Sequence, residues 1–128
     1  WFLINFNKDF GYGLLYPQLF PHHHRPGDAV QAATLEWGKK NACSWLKILD
    51  ERLLGPQQAY LCGNSITLAD YVGAEILAAG GLIRCSYAAY PNIERWLKNM
   101  RALKSWAKVH EVVEQFAGSL KDKAFVAI

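Results

Sequence analysis

Apolar residues recur at three- and four-residue steps along most of this chain, which is the spacing that one face of an α-helix requires. No segment alternates between apolar and polar residues as a half-buried strand would. The sequence therefore predicts an all-α helical bundle of about five main helices, with residues 1–128 forming one domain. The pattern is clearest after Pro91, a favoured first helical residue, in the stripe Ile93, Trp96, Leu97, Met100 and Leu103.

The other helices are predicted from the same spacing and from the residues at their ends. The first covers residues 2–14 on a four-residue step and is predicted to stop at Pro17. The second is predicted to start at Asp28 as N-cap, with Gln31 as its capping-box partner, and to end at Gly55 and the proline after it. The last is predicted from residue 105 onward, with apolar residues Trp106, Val109, Val113 and Phe116.

A capping box opens the third predicted helix. Thr67 and Asp70 stand at N-cap and N3, where each side chain can accept a hydrogen bond from the other residue's backbone N–H. Ile66 and Tyr71 flank the box at the spacing of a hydrophobic staple. No base or nucleophile accompanies Asp70 in the sequence pattern, so we predict a structural role for it. The helix beyond is predicted to use Leu68, Tyr71, Val72, Ile76 and Leu77.

Composition and charge exclude several classes of protein. No apolar run approaches the roughly 20 residues of a membrane helix, so no membrane partner is expected. A net charge of +3 is too small to indicate nucleic acid by itself. Three widely spaced cysteines without a C-x-x-C pair favour reduced thiols in a cytoplasmic protein. Cys85 is predicted to be the most exposed of the three. Cys43 and Cys62 lie next to apolar segments, where a thiol is usually buried.

Two polar clusters invite functional interpretations that the sequence does not favour. His22 and His24 could share an ion in an extended loop, but no further ligands complete a structural zinc site, so no metal is predicted. A basic run follows a three-residue step that drifts around a helix, which is typical of a solvated face. The run consists of Arg95, Lys98, Arg101, Lys104 and Lys108.

Several segments together resemble the all-helical C-terminal domain of cytosolic glutathione transferases. The string Gly63-x-x-Ile66-Thr67-x-Ala69-Asp70 resembles that family's capping box and staple. The later stretch "YPNIERWLKNMRALKSWAKV" is similar to its next two helices, and "FGYGLLYPQLF" resembles the first helix of the domain in some bacterial members. Lys104 departs from the proline that the family often has there, although the serine after it can still cap a helix.

The resemblance implies a function that is shared with a second domain. In the family, an N-terminal thioredoxin-like domain holds glutathione as co-substrate and supplies the residue that stabilises its thiolate. Nothing in this sequence resembles that domain, so the chain alone is expected to be inactive, without catalytic residues or a tightly bound cofactor. The helical domain usually supplies one wall of the pocket for a hydrophobic electrophile and part of a homodimer interface.

The first helix carries the candidate binding residues. Phe6, Phe10, Tyr12 and Tyr16 are the substrate-binding candidates, although an aromatic stripe at helical spacing is more often core, and Tyr12 and Tyr16 lie off that stripe. The resemblance also makes Asn7 or Asp9 candidates for a glutathione contact in the neighbouring subunit. An alternative of another class is open, because similar domains serve as non-catalytic protein–protein interaction modules in translation factors and synthetase complexes.

Overall fold

The computed structural model describes residues 1–128 and contains five helices and no strand. This confirms the all-α prediction. None of the helices is both long enough and apolar enough to cross a bilayer. Helix α1 is a continuous run of Phe2–Phe6, Asn7–Phe10, Gly11–Leu15 and Tyr16–Leu19, of which the first and third segments are π-helical. Helix α2 joins Asp28–Ile48 to the π-helical Leu49–Leu54; α3 is Leu68–Ala79, α4 is Pro91–Arg101 and α5 is Trp106–Ser119.

Helix α1 continues past the point where the sequence predicted its end. Pro17 lies inside it, in the closing segment Tyr16–Leu19, so the predicted stop at Pro17 is wrong. The segment before it is π-helical, with the Tyr16 N–H bonded to the Gly11 carbonyl. Proline is tolerated in the first turn of a helical segment because its missing N–H removes no bond there. The change from π to α geometry places Pro17 in such a turn.

Helix α2 starts differently from the prediction but ends as predicted. Gly27 is the N-cap residue, at a φ of 80° that favours glycine, and Asp28 is already the first helical residue. The Gln31 side chain forms no capping box; its amide donates to the Pro17 carbonyl at 2.8 Å, and its oxygen accepts from the Arg25 N–H at 2.9 Å. Gln31 therefore ties α2 to the end of α1. Gly55 ends the helix at a φ of 57°.

A pair of glycines lets α1 and α2 cross in close contact. A Cβ on Gly13 would lie 2.9 Å from the Gly38 Cα, and a Cβ on Gly38 would overlap the backbone of Gly13. The Trp37 ring lies against the same glycine of α1. The absence of side chains at these two glycines therefore permits the close crossing of α1 and α2.

The core lies between α1, α2, α3 and α4, and the buried face of α3 differs from the predicted one. Leu68 and Tyr71 are 77% and 45% exposed, so the prediction that they belong to the buried stripe is wrong. Helix α3 buries Leu77, as predicted, together with Asp70, Gly73 and Ala74. The reason is Phe2, whose ring lies where a side chain at residue 73 would be, so that α3 must present small residues to α1.

Candidate functional site

Asp70 is fully buried and all of its acceptor capacity is used inside the domain. Its Oδ2 accepts from the Thr67 N–H at 2.8 Å and from the Thr67 hydroxyl at 2.9 Å, and the capping box is complete. Its Oδ1 accepts from the Leu61 N–H at 2.8 Å and from the Trp96 indole N–H at 2.9 Å. Asp70 thus joins α3 both to α4 and to the loop that precedes α3. Ile66 packs against the core, whereas Tyr71 is exposed, and the staple between them stays a prediction.

A second buried aspartate, Asp50, lies in α2 and caps the N-terminus of α4. Its Oδ1 accepts from the backbone N–H groups of Asn92 and Ile93 at 2.8 and 2.9 Å, in the first turn of α4. Its Oδ2 accepts from the Asn92 side chain at 3.1 Å. The carboxylate also lies at the positive end of the α4 dipole. The role of Asp50 is not visible in the sequence, because its partners are more than 40 residues away and no local spacing signals the contact.

One member of the basic run is structural. The Arg95 guanidinium donates to the Gly55 carbonyl at 2.6 Å and to the Gln58 carbonyl at 3.0 Å, so it secures the loop after α2. The interpretation of Arg95 as part of a solvated face is therefore wrong. The remaining four cations are exposed and form no ion pair: Lys98, Arg101, Lys104 and Lys108.

The end of α1 and the turn after it form a pocket of about 410 Å³ that is lined entirely by aromatic rings. Tyr12 and Tyr16 meet edge to face at 4.9 Å, and both lie 5.5 Å from the His23 ring. Phe20 lies 5.8 Å from Tyr16, and His22 lies 4.4 Å from His23. The structure thus brings together the two tyrosines that the sequence favoured. The pocket also includes Phe20, His22 and His23. Phe20 continues the four-residue spacing of Tyr12 and Tyr16 in the sequence.

Asn7 lies beside this pocket and forms a hydrogen bond with Tyr16, one of its lining residues. The Tyr16 hydroxyl donates to Asn7 Oδ1 at 3.3 Å. A Cβ on Gly11 would overlap the Asn7 amide, so the glycine makes room for this contact. Asn7 is half-buried, one helical turn before the glycine. The pair therefore fixes the orientation of the Tyr16 ring.

The other aromatic candidates do not reach the pocket. Phe6 and Phe10 are fully buried, stacked at 4.9 Å in the core, so their prediction as substrate-binding residues is wrong and the core interpretation is correct. Asp9 is also buried, and its Oδ2 accepts from the Trp45 indole at 2.7 Å. Its Oδ1 has no hydrogen-bond partner, since the Lys8 ammonium is 3.6 Å away.

The cysteines are free thiols, and their exposure differs from the prediction. Cys62 is the exposed one, whereas Cys43 and Cys85 are half-buried, so the expectation that Cys85 is the most exposed is wrong. Burial raises the pKa of the Cys85 thiol, which disfavours the reactive thiolate. No three histidine, cysteine, aspartate or glutamate side chains converge in a way that could hold a metal ion.

The fold is that of an all-helical domain with a capping-box aspartate at its centre and an aromatic pocket at one end. The family model described as "Glutathione S-transferase, C-terminal domain" matches residues 23–104, which is more than half of the chain. The chain therefore belongs to this family. The matched range includes Asp50 and Asp70, whereas α1 with its two tyrosines lies before it. No curated protein and no solved structure gave a significant match.

Proposed function

We propose that this chain is the co-substrate-pocket and dimerisation domain of a glutathione transferase-like enzyme, which conjugates hydrophobic electrophiles with glutathione or reduces them. The observation that carries the proposal is the aromatic pocket formed by α1 and the turn after it. Its volume lies in the range of roughly 300–1,000 Å³ that small-molecule sites occupy. Tyr12 is 49% exposed, so its ring is available to an incoming apolar ligand.

The chemistry requires a second domain. In conjugation, the glutathione thiolate attacks an electrophilic carbon and the leaving group departs with its bonding electrons. A thiol with an ordinary pKa of about 8.5 needs a nearby donor or positive field to be deprotonated at neutral pH. Domains of this family usually accompany an N-terminal thioredoxin-like domain. We propose that this partner supplies the donor, that the enzyme is cytoplasmic, and that the chain alone is inactive.

Asn7 and Asp9 remain the proposed glutathione contacts, and their surroundings differ. Asn7 is half-buried and already accepts from Tyr16, so it retains its amide N–H donors. Asp9 offers one unpartnered oxygen, but that oxygen is buried. A contact through Asp9 would need that buried oxygen to be uncovered, whereas the Asn7 side chain is only half-buried.

A homodimer is proposed on the basis of exposed apolar residues on α1 and α2. Val30 and Trp37 are 52% and 49% exposed and lie two helical turns apart on one face of α2, with Ala33 and Thr34 between them. Leu3 and Ile4 on α1 are 67% and 78% exposed. We expect the isolated chain to self-associate, because unpartnered apolar faces of this kind usually mark an interface.

The interaction-module alternative is favoured by one observation on α5. Val109, Val112, Val113 and Phe116 follow the 3–4 spacing of a helix face, yet all four are exposed. On the other side of α5, the buried His110 Nε2 lies 3.1 Å from the Glu75 carboxylate of α3 without forming a hydrogen bond. A protein that bound a partner through this face would need neither glutathione nor the aromatic pocket.

The first test is the intact mass of the native protein from its source, followed by a conjugation assay with glutathione and a halonitrobenzene. We expect a mass larger than 14.4 kDa by a small second domain, on the order of 80 residues, together with glutathione-dependent loss of halide. A native mass of 14.4 kDa without turnover would contradict the proposal and favour the interaction module.

A further inference from the structure

The aromatic pocket contains polar groups that the fold does not use. The side chains of Tyr12, His22 and His23 form no hydrogen bond or ion pair with the rest of the chain, whereas the Tyr16 hydroxyl is bonded to Asn7. A neutral imidazole carries one N–H donor, and a tyrosine hydroxyl can also donate. Three unused donors therefore stand at the rim of an otherwise apolar pocket.

The surroundings of the pocket favour a negatively charged ligand over a positively charged one. No aspartate or glutamate lines the pocket, and none occurs between Asp9 and Asp28 in the sequence. Lys123 and His24 line the adjoining pocket, which shares Phe20 as a wall. An anionic group at the rim would meet donors and the nearby Lys123 ammonium without a carboxylate to repel it.

We propose that the pocket selects planar aromatic ligands that carry a carboxylate, with His23 as the specificity-determining residue. The ring would lie against Tyr12, Tyr16 and Phe20, and the carboxylate would accept from the imidazoles. His23 has this role because its ring contacts all four other wall residues, at centroid distances from 4.4 to 6.2 Å. The inference rests on the proposed function, because it names the co-substrate class of the same pocket.

The test compares two ligands with the same ring system, 2-naphthoate and 2-naphthalenemethanol, by NMR titration of the protein. We expect 2-naphthoate to bind about tenfold more tightly, since hydrogen bonds to a charged acceptor are the stronger ones. His23→Phe keeps a ring against both tyrosines but removes the donor, and should abolish the preference. Tyr71→Phe, at an exposed aromatic residue outside both pockets, is the control and should keep it. His22→Phe, expected to reduce the preference partly, provides a second variant should His23→Phe fail to fold.

The outcomes separate this inference from the proposed function. Equal affinity for the two ligands, or a preference that survives in His23→Phe, would overturn the inference while leaving the pocket as an apolar co-substrate wall. Binding of neither ligand would overturn the inference and would also count against the pocket itself. Loss of conjugation activity alone would bear only on the proposed function, because ligand binding is measured without glutathione.

Discussion

The buried carboxylates of Asp50 and Asp70 and the aromatic pocket represent opposite uses of polar side chains. Asp70 and Asp50 lie where α3 and α4 begin, and every oxygen of their carboxylates accepts a hydrogen bond from the chain itself. At the end of α1, Tyr12 and His23 have polar atoms that no residue of the domain uses. A buried group with all its partners inside the fold serves stability, since any ligand would have to displace them. Unused donors at an accessible rim are available for binding.

The largest effect is expected from Asp70→Ala. It should lower the free energy of unfolding by about 4 kcal/mol, because the Trp96 indole and the Leu61 N–H would both lose a buried acceptor. Chemical denaturation measures the change. Asp122→Ala, at an exposed aspartate, is the control and should have almost no effect. A loss below about 1 kcal/mol for Asp70→Ala would contradict its structural role.

Asp50→Ala should be the next most damaging change, at about 3 kcal/mol, since it removes the cap of α4 and leaves two backbone donors unpaired. Glu51→Ala, at the exposed neighbouring carboxylate, controls for the loss of charge. Hydrogen exchange should show that the first turn of α4 opens more readily in the Asp50 variant. Unchanged protection there would show that the cap is not needed.

Gly38→Ala tests the close packing of α1 against α2. The added Cβ would overlap the Gly13 backbone, so we expect a loss of about 2 kcal/mol. Gly118→Ala, on α5 with open space around the site, should instead stabilise the protein by about 0.5–1 kcal/mol. Equal melting temperatures for the two variants would contradict the close crossing of α1 and α2 at these glycines.

A smaller effect concerns tyrosines that are held inside the fold. Burial raises the pKa of Tyr87 well above its usual value, and burial also raises the pKa of Tyr90 to about 12. Because unfolded tyrosine ionises near pH 10, the folded state binds more protons above that pH, and its stability should fall as the pH rises from about 10 to 12. Tyr87→Phe should make the fall shallower while costing about 1 kcal/mol at neutral pH, from the lost bond to the Leu77 carbonyl.

The local features of this fold could be predicted from sequence, whereas the contacts between distant segments could not. The spacing of Thr67 and Asp70 identifies a capping box because both partners lie within one turn. The Trp96 bond to the same carboxylate, and the capping of α4 by Asp50, join residues 26 and more than 40 positions apart. Pro17 misled the prediction because the π-helical turn before it is a backbone feature that apolar spacing does not reveal.

The same distinction applies to the candidate site. Tyr12 and Tyr16 were separable from the core stripe of Phe6 and Phe10 because they fall on another side of the helix, and the structure places the phenylalanines in the core. The contribution of His23 was not predictable, because it depends on how the turn after α1 folds back onto the tyrosines. The sequence of the histidine-rich loop indicates at most a metal contact, because the stacking of His22 and His23 on aromatic rings depends on the tertiary structure.

The central claim is that the aromatic pocket serves function, whereas Asp50 and Asp70 serve stability. The most direct test of this claim is the catalytic efficiency of Tyr12→Ala in glutathione conjugation, with its stability measured in the same preparation. We expect kcat/KM for an aromatic electrophile to fall about tenfold, while the free energy of unfolding changes by no more than about 0.5 kcal/mol. Tyr71→Ala, at a similarly exposed tyrosine outside the pocket, should leave kcat/KM unchanged. Full activity in Tyr12→Ala, or a loss that merely follows unfolding, would contradict the assignment of the aromatic pocket as the functional end of the molecule.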